Sequence, residues 1–418
     1  MNFDKPKNSN YAAVVAKVVK VSPLEGCDNV MGTYLLGGQA IVGKDVKEGD
    51  LGIVFPAECQ LSREFCRENS LYRHPELNAE PKKGYVEDNR RVKAVKFRGH
   101  LSTCLFMPPS CLSYLGVDAS SLKEGMTFDS IDGKEVCRKY ELVVDSPNDG
   151  SGKAKGKAQP PSRIIPECFP LHVDTENYFR NSHLIPQEAE IVVTQKLHGT
   201  SVRVAHTVVR RKLTLVERVL KSLGVMISDT EYDVVFGSRK VTKDSKDKPG
   251  FYLDDVWVKE GQKIAHLLPK GYAVYGEIIG RTDSGAEIQK GYSYRHETGG
   301  RSLYAYRVAI VSPDGHVTDM DFDQMRRFCV TRGIKCVPEV WRGRHSEFVA
   351  EQWMDLRLAD TGHAQCVPLD PTGVVDEGVV VRHDGDRPVL LKAKSPKFLL
   401  HETKMLDSSE RDIESSES

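Results

Sequence analysis

A lysine standing between two strand-like runs, with a glycine three residues further on, is the feature of this 418-residue chain that most directly invites covalent chemistry. Residues Ile191–Ala205 read IVVTQKLHGTSVRVA. An apolar run ends at Thr194, Lys196-Leu197-His198-Gly199 follows, and a second alternating run begins. In such a place an amine can sit in a pocket while Gly199 lets the backbone approach a ligand closely. The same stretch is equally a β-hairpin with an exposed lysine. Because KxxG arises by chance in many chains, these residues do not choose between the two.

Further segments follow in order. Phe236-Gly237-Ser238-Arg239-Lys240 ends one strand-like run, and Tyr275-Gly276-Glu277-Ile278-Ile279-Gly280 ends another. Leu303–Val308 is an alternating aromatic strand. Asp376–Arg382 is a strand opening on carboxylates, and Leu391-Lys392-Ala393-Lys394 puts two lysines on one face, since strand side chains alternate with period two. With KLHG, this series resembles the motifs of the covalent nucleotidyltransferases: ATP-dependent RNA ligases, DNA ligases and mRNA capping enzymes. KLHGTS, rather than KxDG, resembles the RNA ligase form. The intervals are similar too: 43 residues from Lys196 to Arg239, 38 to Glu277, 29 to Tyr306, 71 to Glu377 and 15 to Lys392.

The resemblance implies roles. Lys196 is the expected nucleophile on the α-phosphate of ATP, and only a neutral amine attacks, so neighbouring cations or a metal must favour loss of its proton. Lys392 and Lys394 are expected to supply that field and to neutralise charge on the phosphate. Glu377 and Glu277 are the expected metal and nucleotide carboxylates, for a hard cation such as Mg²⁺ or Mn²⁺. Arg239 is expected on the ribose or a 5′-phosphate, where a guanidinium fork is useful. Tyr306 is the expected adenine platform, with Tyr304 the alternative on the same strand face. Gly199 belongs to the nucleotide site, and His198 is expected to assist phosphodiester formation, with Thr200 and Ser201 in the same loop. Arg307 departs from the family pattern, which often has Asp there. His172, His206, His266, His296 and His383 are left without a role.

The elements that must position these residues fall into two groups. Ahead of the lysine, strands are expected over Tyr11–Val21, Thr33–Val42, Gly52–Phe55 and Val92–Phe97, with Gly, Pro, Asn and Asp between them, as in a small barrel or sandwich. AKVVKVSPLEGCDN and GGQAIVGKDVKEGDLGIVFP resemble an oligonucleotide-binding (OB) fold, in particular the N-terminal module of the Deinococcus-type RNA ligases. Arg90, Arg91, Lys93, Lys96 and Arg98 form a basic cluster, read either as a solvated strand face or as a nucleic-acid-facing ridge. Later come strands at Ile191–Thr194, Val202–Ala205, Ala273–Ile279, Tyr304–Val311, Gly378–Arg382 and Val389–Lys392, and helices near Trp257–Leu268 and Asp321–Thr331. Strands outnumber helices without a βαβ rhythm, which predicts an antiparallel α+β domain. By resemblance it is a nucleotidyltransferase domain with ATP-grasp-like antiparallel sheets.

The expected organisation is an OB-like domain over 1–144, a linker over 145–163, the ligase domain over 164–405 and an acidic disordered tail over 406–418. The linker reads DSPNDGSGKAKGKAQPPSR, and its glycines fit neither GxGxxG nor GxxxxGK[ST]. In the tail, Asp407, Glu410, Asp412, Glu414 and Glu417 against Arg411 leave −4, and overall charge is zero, so the rest carries +4. Composition excludes a fibrous or disordered chain, and balanced charge argues against a wholesale phosphate binder while allowing local basic patches. Ten scattered cysteines with no CxxC predict reduced thiols rather than disulfides or structural zinc. The first ten residues lack an apolar h-region and no long apolar run occurs, so a soluble intracellular chain, cytoplasmic or nuclear, is expected. The expected activity is sealing of 3′-OH/5′-phosphate ends, at nicks in duplexes with an RNA 3′-OH strand, by a monomer using ATP and Mg²⁺ or Mn²⁺. The alternatives are a DNA ligase or capping enzyme, or a non-catalytic RNA-binding protein of the same fold.

Overall fold

The computed structural model describes residues 2–141, 163–243, 255–371, 373–385 and 388–408. The expected linker lies outside the described residues apart from Arg163, and so does the acidic C-terminus beyond Ser408.

In the N-terminal part, β1 (Ala13–Lys17) pairs antiparallel with β4 (Leu51–Pro56), and β4 with β5 (Cys104–Met107). Thr127–Phe128 completes a four-stranded sheet on the far side of β1. The run read as one strand over Thr33–Val42 is two, β2 (Val30–Leu35) and β3 (Gly38–Gly43), paired as a hairpin. Its turn residues Leu36 and Gly37 both have positive φ, 52° and 81°, the twist a two-residue hairpin demands. Phe55, Phe65, Phe128 and Leu112 fill the core, each fully buried. Among the described residues, the pairings divide into separate sheets and do not run round into a closed barrel.

The C-terminal part holds two five-stranded sheets. The first runs Glu176–Asn177, β13 (Val389–Lys394), β12 (Gly378–His383), β6 (Glu190–Lys196), β11 (Glu339–Arg344). The second runs β8 (Thr230–Ser238), β7 (Thr200–Arg210), β9 (Tyr272–Gly280), β10 (Arg301–Val311), Val317–Asp319. Every ladder is antiparallel except the short parallel one between Glu176–Asn177 and β13. The mixed α+β class expected from the strand pattern is therefore present. Three residues, Leu197 to Gly199, separate the last residue of β6 in one sheet from the first of β7 in the other.

Three helices bear on the site. α1 (Val256–Ala265) is capped by Asp255, whose carboxylate accepts from the Trp257 and Val258 amides, and it packs Trp257 and Ile264 into the core beneath the second sheet. α2 (Phe322–Thr331) opens on a capping box between Asp321 and Gln324 and buries Phe322, Met325 and Phe328. Both sit where the apolar spacing predicts them. α3 (Pro396–Asp407), begun by a proline at its first position, was not anticipated and covers what the sequence reading treats as the start of a tail.

Candidate active site

Strand register brings the expected residues together. Lys196, the last residue of β6, lies opposite Gly378 on β12, and Gly378 lies opposite Lys394 on β13. The two lysines thus flank one glycine in a single row of the sheet, and Glu377 is the residue before that glycine. Lys196 Nζ stands 2.8 Å from Glu377 Oε2, His198 Nδ1 3.4 Å from the same oxygen, and Lys394 Nζ 3.4 Å from Glu377 Oε1. Gly378 has φ +140°, and a Cβ there would fall 1.9 Å from the Ala393 carbonyl oxygen. Only glycine permits the carboxylate to arrive beside the lysines.

Burial would raise the Glu377 carboxyl, but the Lys196 and Lys394 ammonium groups outweigh it and hold Glu377 well below the usual carboxylate range. Burial likewise works against a charged Lys394, but Glu402 and Glu377 overcome it and push its pKa up. For Lys392 the nearby Glu377 and Asp174 carboxylates do not outweigh the opposing effects. Burial, then the nearby Lys394 and Lys196 charges, lower it to about 7. One strand therefore carries a lysine held charged and, two residues away, one poised to gain or lose a proton near neutrality.

The KLHG loop is fixed from the second sheet. Gly199 donates its amide to Glu277 Oε1 at 3.0 Å and Ser201 its hydroxyl to Oε2 at 3.3 Å, while Gln289 donates to the Gly199 carbonyl at 2.8 Å. A Cβ on Gly199 would meet the Ile278 carbonyl oxygen at 2.2 Å. Glu277 thus spends both oxygens on the loop that follows Lys196. His198 receives shape support: its amide donates to Tyr294 Oη at 2.7 Å, and its ring lies edge-on to Tyr292 and Phe398 at 4.9 and 4.8 Å. Thr200 is buried opposite Ile278.

Tyr304 and Tyr306 both pack against the cluster around Leu197 and Val337, but they line different cavities. The β9–β10 register slips between Tyr275 and Gly276, where Arg307 and Ala305 are the successive partners and Tyr306 is the extra residue. A bulge of this kind re-aims a side chain. Tyr306 lines the cleft that holds Lys196, whereas Tyr304 lines a separate pocket with Phe322 and Trp341. Tyr306 Oη is 3.0 Å from His172 Nδ1, and burial, then Arg239, lowers the His172 pKa to about 4. His172, left without a role by the sequence, is therefore neutral at pH 7 and orients the Tyr306 ring. Arg239 pairs with Asp174, two residues beyond His172. Arg203, 1% exposed, fastens this segment by donating to the Phe169 and Pro170 carbonyls. Arg307 is spent on Asp319 at 2.6 Å, over the Tyr275 ring.

The five-residue basic cluster is not one ridge. Arg91 is 3% exposed and pairs with Glu58 at 2.6 Å and Asp407 at 3.0 Å. Lys93 pairs with Glu87 at 2.6 Å and Asp407 at 2.8 Å. Arg90 donates to the Leu61 carbonyl. The strand there is only Val95–Phe97, because the Val92 and Ala94 amides bond elsewhere, to Cys59 and Thr403. Lys96 and Arg98 alone of the five are exposed.

Lys196, Glu377, Lys392 and Lys394 face a cleft of about 3070 Å³ lined by both parts of the chain, from Asn10, Tyr11 and Lys139 to Arg239 and Arg382. Among the described residues no three His, Cys, Asp or Glu side chains converge on a metal position. The donor that suits a hard cation is the ionised Glu377, which fits an ion that keeps waters and completes its shell with phosphate oxygens. Asp174, Tyr294 and Glu402 leave no local signature in the sequence, because their roles come from tertiary contacts.

Residues 189–395 match the family model described as RNA ligase. That segment runs from the start of β6 to just past Lys394. It is an RNA ligase domain, and the chain that carries it is an enzyme of the RNA ligase class. Among solved structures, the Naegleria gruberi RNA ligase with PPi is 18% identical, with TM-score 0.54, covering 94% of this chain and 99% of that one. A mutant of the same ligase with ATP and Mn is 17% identical, TM-score 0.54, covering 95% and 99%. Another mutant, in its apo form, gives 17%, 0.56, 95% and 99%. At this identity the likeness shows a shared fold along nearly the whole chain. No curated protein matches the chain. No helix of the described residues is long and apolar enough to cross a membrane.

Proposed function

We propose that the chain is an ATP-dependent RNA ligase that joins 3′-OH and 5′-phosphate ends through a lysyl-AMP intermediate. The observation that carries this reading is the row Lys196–Gly378–Lys394 with Glu377 within 2.8–3.4 Å of both lysines and of His198. Two lysines, a carboxylate and an imidazole lie at one point there, the groups such a reaction needs, and the similar Naegleria ligase was solved with ATP and Mn and with PPi, which supports the reading.

Lys196 Nζ attacks the α-phosphorus of ATP; the bond to the bridging oxygen breaks and pyrophosphate leaves. Lys196 starts paired to Glu377, so attack requires that this pair open and the ammonium lose its proton. Lys392 takes up a proton as the triphosphate enters and offsets its charge, while Lys394 remains charged throughout. Glu377 would hold Mg²⁺ or Mn²⁺, which would supply charge neutralisation at the α-phosphate. Tyr306 stacks on adenine, and Arg239, exchanged from Asp174, binds ribose or a 5′-phosphate. A 5′-phosphate oxygen then displaces Lys196 from AMP, and a 3′-OH attacks the resulting 5′–5′ pyrophosphate, releasing AMP.

The N-terminal part is read as an OB-like module that grips the strand by phosphate contacts and shape, and the preferred substrate as a nick with an RNA 3′-OH side. Sealing of nicked duplexes with RNA or DNA on each side of the nick tests this: joining only where the 3′-OH strand is RNA is expected. Equal joining of all-DNA nicks would favour a DNA ligase.

A further inference from the structure

We infer that Glu402 is a positioning residue for Lys394, held in place by a buried clamp between α3 and the N-terminal part of the chain. The inference rests on the ligase reading above and adds a residue seven positions beyond the segment that matches the family.

Lys394 Nζ lies 3.2 and 3.3 Å from the two Glu402 oxygens as well as 3.4 Å from Glu377 Oε1. Both side chains are largely buried, at 18% and 26% exposure. A buried ammonium cannot lose its only partner without a large desolvation cost. If Glu377 were that partner, any cation or substrate group engaging Glu377 would leave Lys394 unpaired or compete with it. Glu402 removes the conflict: Lys394 keeps a carboxylate whatever Glu377 does, and its ammonium stays in the row opposite Gly378.

Glu402 is itself placed from both ends of α3. At the start, fully buried Ser395 donates its amide to the Glu377 carbonyl at 2.9 Å, and Phe398 packs against His198. At the far end, the next residue, Thr403, donates its hydroxyl to Glu58 Oε1 at 2.5 Å and accepts through its carbonyl from Arg91 Nη2 at 2.8 Å. Arg91 grips Glu58 and Asp407 as well. The clamp therefore sets the register of Glu402 against Lys394, although Glu58 and Arg91 lie more than 300 residues away in the chain.

The test is single-turnover adenylylation of the full chain, stripped of AMP with pyrophosphate, using α-labelled ATP and Mn²⁺, with rates expressed per labelled site. Glu402→Gln is expected to slow the rate at saturating ATP by about tenfold or more, the scale of a lost charge-assisted hydrogen bond, with a smaller change in half-saturating ATP. Glu402→Asp should recover part of the rate, and Thr403→Val should slow it in the same sense. Unchanged rates per labelled site in Glu402→Gln, with only melting temperature or labelled fraction reduced, would assign Glu402 a purely structural role and overturn the inference. If Glu402→Gln does not fold, Thr403→Val decides on the same two outcomes. Absence of label on wild type after stripping would instead defeat the ligase reading itself.

Discussion

Residue by residue, the two lysines of one strand, Lys392 and Lys394, behave differently. Lys392, lowered to about 7, is half neutral at pH 7 and largely neutral at pH 8 in the free enzyme. A bound triphosphate favours its charged form, so ATP binding at pH 8 should take up a proton. Calorimetry in buffers of different ionisation enthalpy measures this, and the uptake should vanish in Lys392→Met; equal uptake in both would assign the proton elsewhere. The tyrosines give a second prediction. Tyr306→Ala should raise half-saturating ATP about 5- to 150-fold, the range of one base stack, while Tyr304→Ala should leave it within a few-fold. The sequence named Lys196, Glu377, Lys392 and Lys394 because their types and order survive as a linear pattern. It could not separate Tyr304 from Tyr306, because period-two alternation assumes a regular strand and the bulge opposite Tyr275–Gly276 breaks it.

At the scale of elements, the site is a matter of register across β6, β12 and β13 and of the short link into β7. At Gly378 and Gly199 a side chain would collide with backbone, at 1.9 and 2.2 Å. Gly378→Ala should therefore cost roughly 1–3 kcal/mol for the backbone conformation alone, more with the collision, read as a lower denaturation midpoint. It should also abolish adenylylation in the molecules that fold, since Glu377 can no longer lie between the lysines. Full activity in Gly378→Ala would mean that the row does not form the site. The strands of this region and helices α1 and α2 were legible, because long apolar periodicities survive in sequence. α3 was not: it follows a strand after one buried serine, and its last two residues, Leu406 and Asp407, fall in the expected acidic tail. The Thr33–Val42 hairpin was missed because Leu36 stands at a positive φ that sequence assigns to Asn or Gly.

At the scale of the whole molecule, the N-terminal and C-terminal parts share one cleft and are joined through α3. Arg91 belongs to that joint rather than to a nucleic-acid surface. Arg91→Met leaves Glu58 buried without its charged partner and should cost about 3–5 kcal/mol of stability. The salt dependence of RNA binding should nevertheless keep its slope. Lys96→Ala and Arg98→Ala should each lower that slope by about one if these exposed residues touch phosphates. A slope changed by Arg91→Met and untouched by the other two would reverse the assignment. Such a buried ion pair could not be read from composition, because the carboxylates that neutralise Arg91 come from positions 58 and 407.

Adenylylation of Lys196 is the step on which the whole proposed reaction depends, and labelling the chain reads it out. Wild type and Lys196→Ala, both first treated with pyrophosphate to remove any resident AMP, are incubated with α-labelled ATP and Mn²⁺ and denatured in detergent. Label that remains on the wild-type chain and none on the variant is expected. Equal label on both, or none on either, would contradict it.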